Sequence, residues 1–353
     1  MDRIAPMPDG SAAVAALDAA LNPWMEGPDN APALVLTPCY HGAPAISRLW
    51  AEARGWTVVD PLSRSHIMQS AAAAEDWLSA RMDSTSPWVL PRLERCYVRT
   101  PRGLAFIRRL LNRWAAGALG RGLMGCDPHA WVFLRQVWQG KISHQLALQP
   151  FSAEMLGQWL RTLAGMNQSD EAVPISFRVA GGGPPVLPDP REGAPGAAPR
   201  SDNGFTSPYL RMLAGFSQGH PGIARVLWRR SLLVPPDAPP PTTEEPPDPE
   251  SEAKQILWVR PWKEVDRPHL PSDVAQPVAF VLHALLLHGG LSADQLCPLL
   301  PSDAYAVRHR LQGLRDAEII TQQDGEWRLT PAGYPAACDV LRREAYLPDP
   351  YIT

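Results

Sequence analysis

Two side chains that could form a nucleophile pair lie close together near the start of the chain. Cys39 and His41 are two residues apart in a segment with Pro38 and Pro44. An imidazole beside a thiol can activate it for covalent catalysis. In an extended loop this spacing keeps the two groups apart, which favours a buried cysteine and an exposed histidine instead.

The same segment has the spacing of a phosphate-binding loop but lacks its reactive residues. Such a loop reads G-x-x-x-x-G-K-[ST] between a strand and a helix; backbone N–H groups hold the phosphates, the lysine neutralises them and the hydroxyl holds magnesium. Here Thr37 stands for the first glycine, His41 precedes Gly42, and Ala43 and Pro44 replace the lysine and the hydroxyl residue. Pro44 still suits the first turn of a helix. The sequence therefore predicts a loop that keeps its shape and loses phosphate affinity.

Two carboxylates are the candidates for hydrolytic chemistry. Glu94 follows the apolar segment Trp88–Leu90, but Pro91 stands where a magnesium ligand is expected. A surface glutamate paired with a neighbouring arginine is the alternative. Asp127 follows Gly122–Cys126, in the place of a polar sensor residue, and the alternative is a helix N-cap ahead of a proline.

Short apolar segments alternate with helical patterns in the first half of the chain, which predicts a mostly parallel α/β sheet covered by helices. The predicted strands are Ala33–Thr37, Trp56–Asp60, Trp88–Leu90, Gly122–Cys126 and Ser143–Leu148. The predicted helices cover residues 12–21, 45–54, 70–82, 103–116, 152–163, 208–217 and 222–232.

Glycine- and proline-rich segments divide the chain. We predict an N-terminal arm over residues 1–30 and a sheet domain over 31–232, which includes a small helical subdomain at about 205–232. A flexible insertion is expected at 180–200. A Pro-rich acidic linker at 233–254 should separate the sheet domain from a C-terminal domain at 255–353.

The C-terminal domain has the pattern of a winged helix. Three helical segments (277–288, 293–300 and 303–316) precede two alternating segments around Asp324-Gly325, a hairpin signal. The third helix offers Arg308, Arg310 and Arg315 for contact with DNA or a protein partner. Six arginines face nine carboxylates between Val274 and Thr353, so the sign of the charge favours protein over DNA.

The succession of these motifs resembles that of the AAA+/STAND class of P-loop ATPases. After the degenerate loop and the sheet, Gly219-His220-Pro221 resembles the G-x-P motif of the family's helical subdomain, whose proline lies against the nucleotide; a winged helix then follows. The resemblance implies ATP or ADP as the ligand of a degenerate site made of Thr37, His41, Gly42, Ala43, Pro44 and Pro221. It also implies self-assembly into homo-oligomers and a winged helix that packs on the sheet domain.

Bulk composition excludes several other classes. The net charge of -3 and the 45% hydrophobic content are typical of a globular protein, and we expect a cytoplasmic one because no apolar segment is long enough to cross a membrane. The five cysteines form no C-x-x-C pair, and His283 and His288 are five residues apart, so no metal site is predicted. Only three of the 33 basic residues are lysines, a skew that GC-rich bacterial coding would explain.

The function that fits best is a regulatory or adaptor protein that does not hydrolyse ATP, requires no cofactor and acts through a protein partner. Two alternatives stay open. One is a protein that binds ATP or hydrolyses it weakly, since backbone N–H groups can hold phosphates without a lysine. The other is a winged-helix transcriptional regulator that binds DNA.

Overall fold

The computed structural model describes residues 4–8, 10–27, 31–82, 86–165, 175–187, 206–233, 255–271 and 273–348. The chain divides into two compact units. We call Asp9–Gln149 with Pro268–Thr353 the sheet unit, and Met1–Pro8 with Pro150–Arg267 the helical unit.

The N-terminal part of the sheet unit alternates strands and helices. Its strands are β1 (Ala33–Leu36), β2 (Thr57–Val58), β3 (Trp88–Leu90), β4 (Gly122–Cys126) and β5 (His144–Ala147). Its helices are α1 (Ser11–Glu26), α2 (Ala43–Ala53), α3 (Arg64–Gln69), α4 (Ala71–Met82), α5 (Pro101–Ala115) and α6 (Pro128–Val137). The predicted parallel sheet is confirmed; α6 had no predicted counterpart beyond a possible cap at Asp127.

The five strands form one parallel sheet in the order β2-β3-β4-β1-β5. Val35 of β1 lies beside Gly125 on one side and Leu146 on the other, so β1 is interior. All four residues of β1 are buried, as expected for a strand with helices on both faces. Because the strands are parallel, the loops that follow β1, β3 and β4 meet at one edge of the sheet.

Each face of the sheet has its own apolar core. On one face α1 and α2 pack through Leu21, Trp24 and Trp50. On the other face α5 contributes Phe106 and Trp114 among other buried side chains. Fully burying a large apolar side chain stabilises a fold by about 1.5–3 kcal/mol, so α1 is part of this core and differs from the N-terminal arm expected at 1–30.

The C-terminal part of the sheet unit is the predicted winged helix, which is confirmed. It contains α10 (Gln276–His288), α11 (Ala293–Leu296), α12 (Ala304–Asp316), the hairpin β8 (Ile320–Gln323) with β9 (Glu326–Leu329), and α13 (Tyr334–Arg343). A backbone bridge between Leu291 and Trp327 extends the hairpin. α10 packs against α6 and against the 3₁₀ turn Leu93–Arg95 that follows β3.

The helical unit contains α7 (Ala153–Leu163), α8 (Pro208–Ser217) and α9 (Pro221–Ser231), with a parallel pair of strands, β6 (Ile175–Val179) and β7 (Gln255–Val259). β7 was predicted to belong to the C-terminal domain at 255–353. The structure instead pairs it with β6, because Phe177 and Val259 are both fully buried in this unit.

The predicted flexible insertion at 180–200 is only partly described. Residues 184–187 return along β6, where Val186 N–H donates to the Phe177 carbonyl at 2.7 Å and the Val186 side chain is fully buried. Val186 and Leu187 are therefore packed, which differs from the expectation, while Gly181, Gly182, Pro184 and Pro185 are exposed. The remainder, 188–200, and linker residues 234–254 lie outside the described residues.

In the described part of the chain, each helix is too short or too polar to traverse a lipid bilayer.

Candidate functional site

The loop between β1 and α2 joins a sheet strand to a helix as the phosphate-loop spacing predicts. Thr37, which is buried, donates its N–H to the Cys126 carbonyl at 2.9 Å. Tyr40 and Gly42 have left-handed backbone (φ 69° and 80°). Gly42 precedes α2 at its N-cap, and Pro44 lies in the first turn of the helix. The sharp turn that a phosphate loop needs is present.

The anion held by this loop is an internal carboxylate. Asp127 Oδ2 accepts the Cys39 backbone N–H at 3.1 Å and the Cys39 thiol at 3.2 Å. Asp127 Oδ1 accepts the His129 and Ala130 N–H groups at 2.9 and 3.4 Å, so Asp127 is also the N-cap of α6. The Asp127 side chain is almost fully buried. Its carboxylate accepts a backbone N–H that, in a phosphate loop, would bind the phosphate ligand.

A second buried carboxylate lies beside the first. Glu94 Oε2 accepts the Asp127 N–H at 3.4 Å, and Glu94 Oε1 is paired with Arg92 Nε at 2.8 Å. The structure thus brings both predicted carboxylates to the loop, at the carboxyl ends of adjacent strands. The salt bridge between Arg92 and Glu94 agrees with the alternative prediction that Glu94 pairs with a neighbouring arginine. Glu94 is buried, however, and not on the surface as that alternative expected.

The loop is also attached to the winged helix. The Tyr40 hydroxyl donates a short hydrogen bond to the Leu329 carbonyl at the end of β9. The Tyr40 ring packs edge-on against Tyr334, with centroids 5.8 Å apart. Burial raises the pKa of Tyr40, so its hydroxyl remains a donor at all physiological pH values.

Neither Cys39 nor His41 has the electrostatics of a nucleophile pair. Burial and the neighbouring Asp127 raise the pKa of the Cys39 thiol well above its usual range, and the thiol donates to Asp127. Burial lowers the pKa of His41 to about 4, against a backbone hydrogen bond with Gln149. His41 is therefore neutral at pH 7 and supplies no cation to the loop. The prediction that it is exposed is wrong, since it is 8% exposed.

Pro221, the predicted nucleotide-facing proline, opens α9 in the helical unit, with His220 at the N-cap. The preceding Gly219 has φ 71°, and a Cβ there would lie 2.7 Å from backbone atoms of Phe151. This close approach is enough to explain why position 219 of the Gly219-His220-Pro221 motif is a glycine, without a role in nucleotide binding. The role of Pro221 toward a nucleotide stays a prediction.

The three arginines predicted on the third helix of the winged helix do not share one face. Arg308 and Arg315 on α12 are exposed, with side-chain exposures of 67% and 50%, while Arg310 is partly buried. Arg308 and Arg315 are seven residues apart and so lie on the same side of the helix. Tyr305, 80% exposed, belongs to that side and stacks on His309.

Sequence reasoning missed the buried contacts that fix the winged helix on the sheet. Arg64, 4% exposed, donates to the carbonyls of Gly290 (2.6 Å), Glu94 (3.3 Å) and, by a short bond, His288. The Tyr97 hydroxyl donates to the Leu287 carbonyl at 2.8 Å. These donors satisfy carbonyls that the carboxyl end of α10 leaves without helical partners. Single-sequence patterns carry no signal for such long-range contacts.

The α10 histidines are structural in this arrangement. His283 lies 3.5 Å from Arg99, and burial and this arginine lower its pKa to about 4. His288 is fully buried; its Nδ1 donates to the Ala284 carbonyl, and its ring packs on Tyr97. Across the described ranges, no three His, Cys, Asp or Glu side chains are grouped as metal ligands.

One combination of features decides the fold. A parallel sheet with β1 between β4 and β5, a sharp loop from β1 into a helix, and polar residues after β3 and β4 are joined to a three-helix module with a wing. The chain has a P-loop-like α/β fold with a C-terminal winged helix. Within this fold, the loop that would hold phosphate holds Asp127.

Comparisons with known proteins give a distant likeness. No family model and no curated protein matches the chain. Among solved structures it is similar to Cdc6p from Pyrobaculum aerophilum, with 13% identity and a TM-score of 0.34 over 96% of this chain and 95% of that one. It is also similar to the Aeropyrum pernix Orc1 protein in complex with DNA, with 14% identity and a TM-score of 0.33 over 96% of this chain and 94% of that one. A structure on katanin self-assembly shares 16% identity, with a TM-score of 0.26 over 49% of this chain and 61% of that one.

Proposed function

We propose that this protein is a regulatory adaptor that uses an AAA+-type fold without hydrolysing ATP and acts through a protein partner. The observation that carries the proposal is the pair of bonds from Cys39 to the Asp127 carboxylate, at 3.1 and 3.2 Å. An internal carboxylate competes with every phosphate group that enters the loop, because it holds the N–H donor and repels like charge.

The sequence at the loop supports the same conclusion. Ala43 and Pro44 stand where the cation and the magnesium-binding hydroxyl belong, and neutral His41 does not replace the missing charge. Loss of the lysine, of the metal ligand and of a free N–H group affects all three interactions that hold a triphosphate.

Calorimetry with ATP and magnesium tests this proposal directly. We expect no binding tighter than about millimolar, roughly 4 kcal/mol of binding free energy, and no release of phosphate over hours. Ala43→Lys alone should still bind poorly, since Asp127 still occupies the loop. Ala43→Lys combined with Asp127→Asn should bind at least about fivefold more tightly than Ala43→Lys, because the competing charge is gone.

Two results would contradict the proposal. Micromolar binding of ATP by the natural protein, with turnover, would favour the ATPase alternative. Equal affinity of the single and double variants would show that Asp127 does not block the loop.

For the partner surface we propose the exposed side of α12. Tyr305 projects into solvent beside Arg308, and tyrosine and arginine are the residue types that most often dominate binding at interfaces. The negative charge of the winged-helix sequence disfavours a nucleic acid on the same surface.

This surface is tested with partners cross-linked in the native cell and identified by mass spectrometry. Tyr305→Ala and Arg308→Ala should each remove the same partner. Arg109→Ala should retain it, since Arg109 is also partly exposed (44%) and, like Arg308, paired with a carboxylate, but belongs to α5 and not to α12. A DNA mobility shift that weakens with salt and is lost in Arg308→Ala would favour the DNA-binding alternative instead.

A further inference from the structure

The sheet unit contains a cavity of about 370 Å³ beside the loop. It is lined by the start of α2, by the segment after β2, by the segment after β3, and by Gln295 and Glu326 of the winged helix. Its position at the carboxyl ends of parallel strands is the usual place for ligands in α/β folds. Its volume suits a small molecule.

Four arginines line this cavity: Arg48, Arg64, Arg92 and Arg95. Arg64 donates hydrogen bonds to backbone carbonyls, and its buried guanidinium adds positive charge to the lining. Arg95 bonds through Nη2 only, to Glu326, which within the described residues leaves its Nε and Nη1 hydrogens for a ligand. Arg48 is half-exposed at the rim, where it pairs with Asp60 at 2.7 Å.

The carboxylates of the cavity do not cancel this charge. Glu326 is shared among three guanidinium groups, those of Arg95 (2.6 Å), Arg328 (2.8 Å) and Arg64 (3.6 Å). Asp60 is 79% exposed and faces mostly water. Arg92 is paired with Glu94 at 2.8 Å, yet with Glu94 included the four arginines still outnumber the three carboxylates. The lining therefore keeps a positive excess, and guanidinium groups bind phosphoryl oxygens by paired, charge-assisted hydrogen bonds.

Prolines in this cavity occupy the two positions at which a magnesium ligand would be expected. Pro44 replaces the hydroxyl residue of the phosphate loop, and Pro91 follows β3 where an acidic ligand is expected. Proline offers no side-chain oxygen to a metal. The positive charge at this place comes from arginines, which need no metal ion.

We propose that this arginine-lined cavity binds a small phosphorylated ligand, a phosphomonoester or a diphosphate, without magnesium. The ligand contacts Arg48 and Arg92 and the remaining donors of Arg95, the arginine that Glu326 of the wing also holds. The site adjoins the loop held by Asp127 and shares Pro44 with it, but its charges come from arginines outside that loop, so the proposal does not depend on whether ATP binds there.

Calorimetry with pyrophosphate and with ribose 5-phosphate, in low salt and EDTA, tests the site. Saturable binding is expected for at least one probe and should change less than twofold when magnesium replaces EDTA. Arg48→Gln should weaken it about fivefold or more, because one charge-assisted contact is lost. Asp60→Asn should strengthen it about twofold, because Arg48 is released from its partner.

Arg54→Gln is the matched control. Arg54 follows α2, the helix that carries Arg48, and forms a similar salt bridge with Asp18 at 2.6 Å, but it does not line the cavity. Its replacement should change affinity less than twofold. Absence of saturable binding by both probes, equal weakening by Arg54→Gln, or a requirement for magnesium would each overturn the proposal. Binding that requires magnesium and responds to Asp127→Asn but not to Arg48→Gln would place the ligand in the loop instead.

Discussion

At the scale of single residues, one aspartate has two structural roles. Asp127 caps α6 with one carboxylate oxygen and holds Cys39 with the other. The sequence suggested the cap from the following proline, since Asp-Pro is a common helix start. It could not suggest the second contact, because Cys39 is 88 residues away.

Replacing Asp127 should make Cys39 more reactive. The pKa of the buried thiol is raised by burial first and by the Asp127 charge second, so at pH 8 the thiol is protonated in the folded protein. Asp127→Asn removes the charge and lowers this pKa, which increases the thiolate fraction. We expect alkylation of Cys39 by iodoacetamide to accelerate severalfold, measured by peptide mass spectrometry. Cys96, which is also buried and whose pKa Asp127 does not affect, serves as the internal reference, and equal acceleration at both cysteines would indicate general loosening instead.

The same residue is expected to contribute to stability. Loss of an N-cap costs about 0.5–2 kcal/mol, and Asp127→Ala also leaves the Cys39 N–H without its acceptor, at about 1–3 kcal/mol. The free energy of unfolding from urea titration should therefore fall by about 2–4 kcal/mol. Ser152→Ala, which removes only the cap of α7, should cost no more than the cap itself. Equal losses would mean that the Cys39 contact contributes nothing.

At the scale of secondary-structure elements, sequence patterns predicted most strands and helices because apolar period and turn residues are local signals. β7 was assigned to the wrong unit because a five-residue apolar strand does not specify its partner. The predicted helix at 70–82 is α4, whereas α3 had no predicted counterpart, because its six residues are too few to show a helical period. The attachment of α10 to the sheet could not be predicted, since it depends on long-range contacts from Arg64 and Tyr97.

The end of α10 offers a test of that attachment. Gly289 has φ 60°, and a Cβ there would lie 2.3 Å from Arg92 Nη2 and 3.3 Å from Glu94 Cγ. Gly325, at the tip of the wing with φ 78°, has nothing within 4 Å of such a Cβ. Both Gly→Ala changes incur the cost of a left-handed alanine, roughly 1 kcal/mol. Gly289→Ala should lose about 1 kcal/mol more in urea unfolding, because Arg92 must move from Glu94. Equal losses of unfolding free energy in the two variants would show that Arg92 moves away from residue 289 without an energetic cost.

At the scale of the whole molecule, the winged helix and the sheet form one compact unit whose core includes three histidines with lowered pKa values. Sequence patterns do not predict this, since His41 was expected in solvent and buried histidines have no local pattern. In the structure, burial lowers the pKa of His41 and His283 to about 4 and that of His288 well below its usual value. Each is neutral in the folded protein at neutral pH and free to protonate when unfolded.

This arrangement predicts a loss of stability in mild acid. Below about pH 6.5, the ordinary pKa of histidine, the unfolded chain binds protons that the folded chain does not, so the free energy of unfolding falls as pH decreases. Between pH 7 and pH 5 each such histidine should contribute a loss of about 1–2 kcal/mol. Urea unfolding at the two pH values measures the sum. His283→Gln should reduce the pH dependence, because it removes one of the three groups. Unchanged stability from pH 7 to pH 5 in the natural protein would contradict the buried, neutral state of these histidines and, with it, the close packing of the winged helix on the sheet.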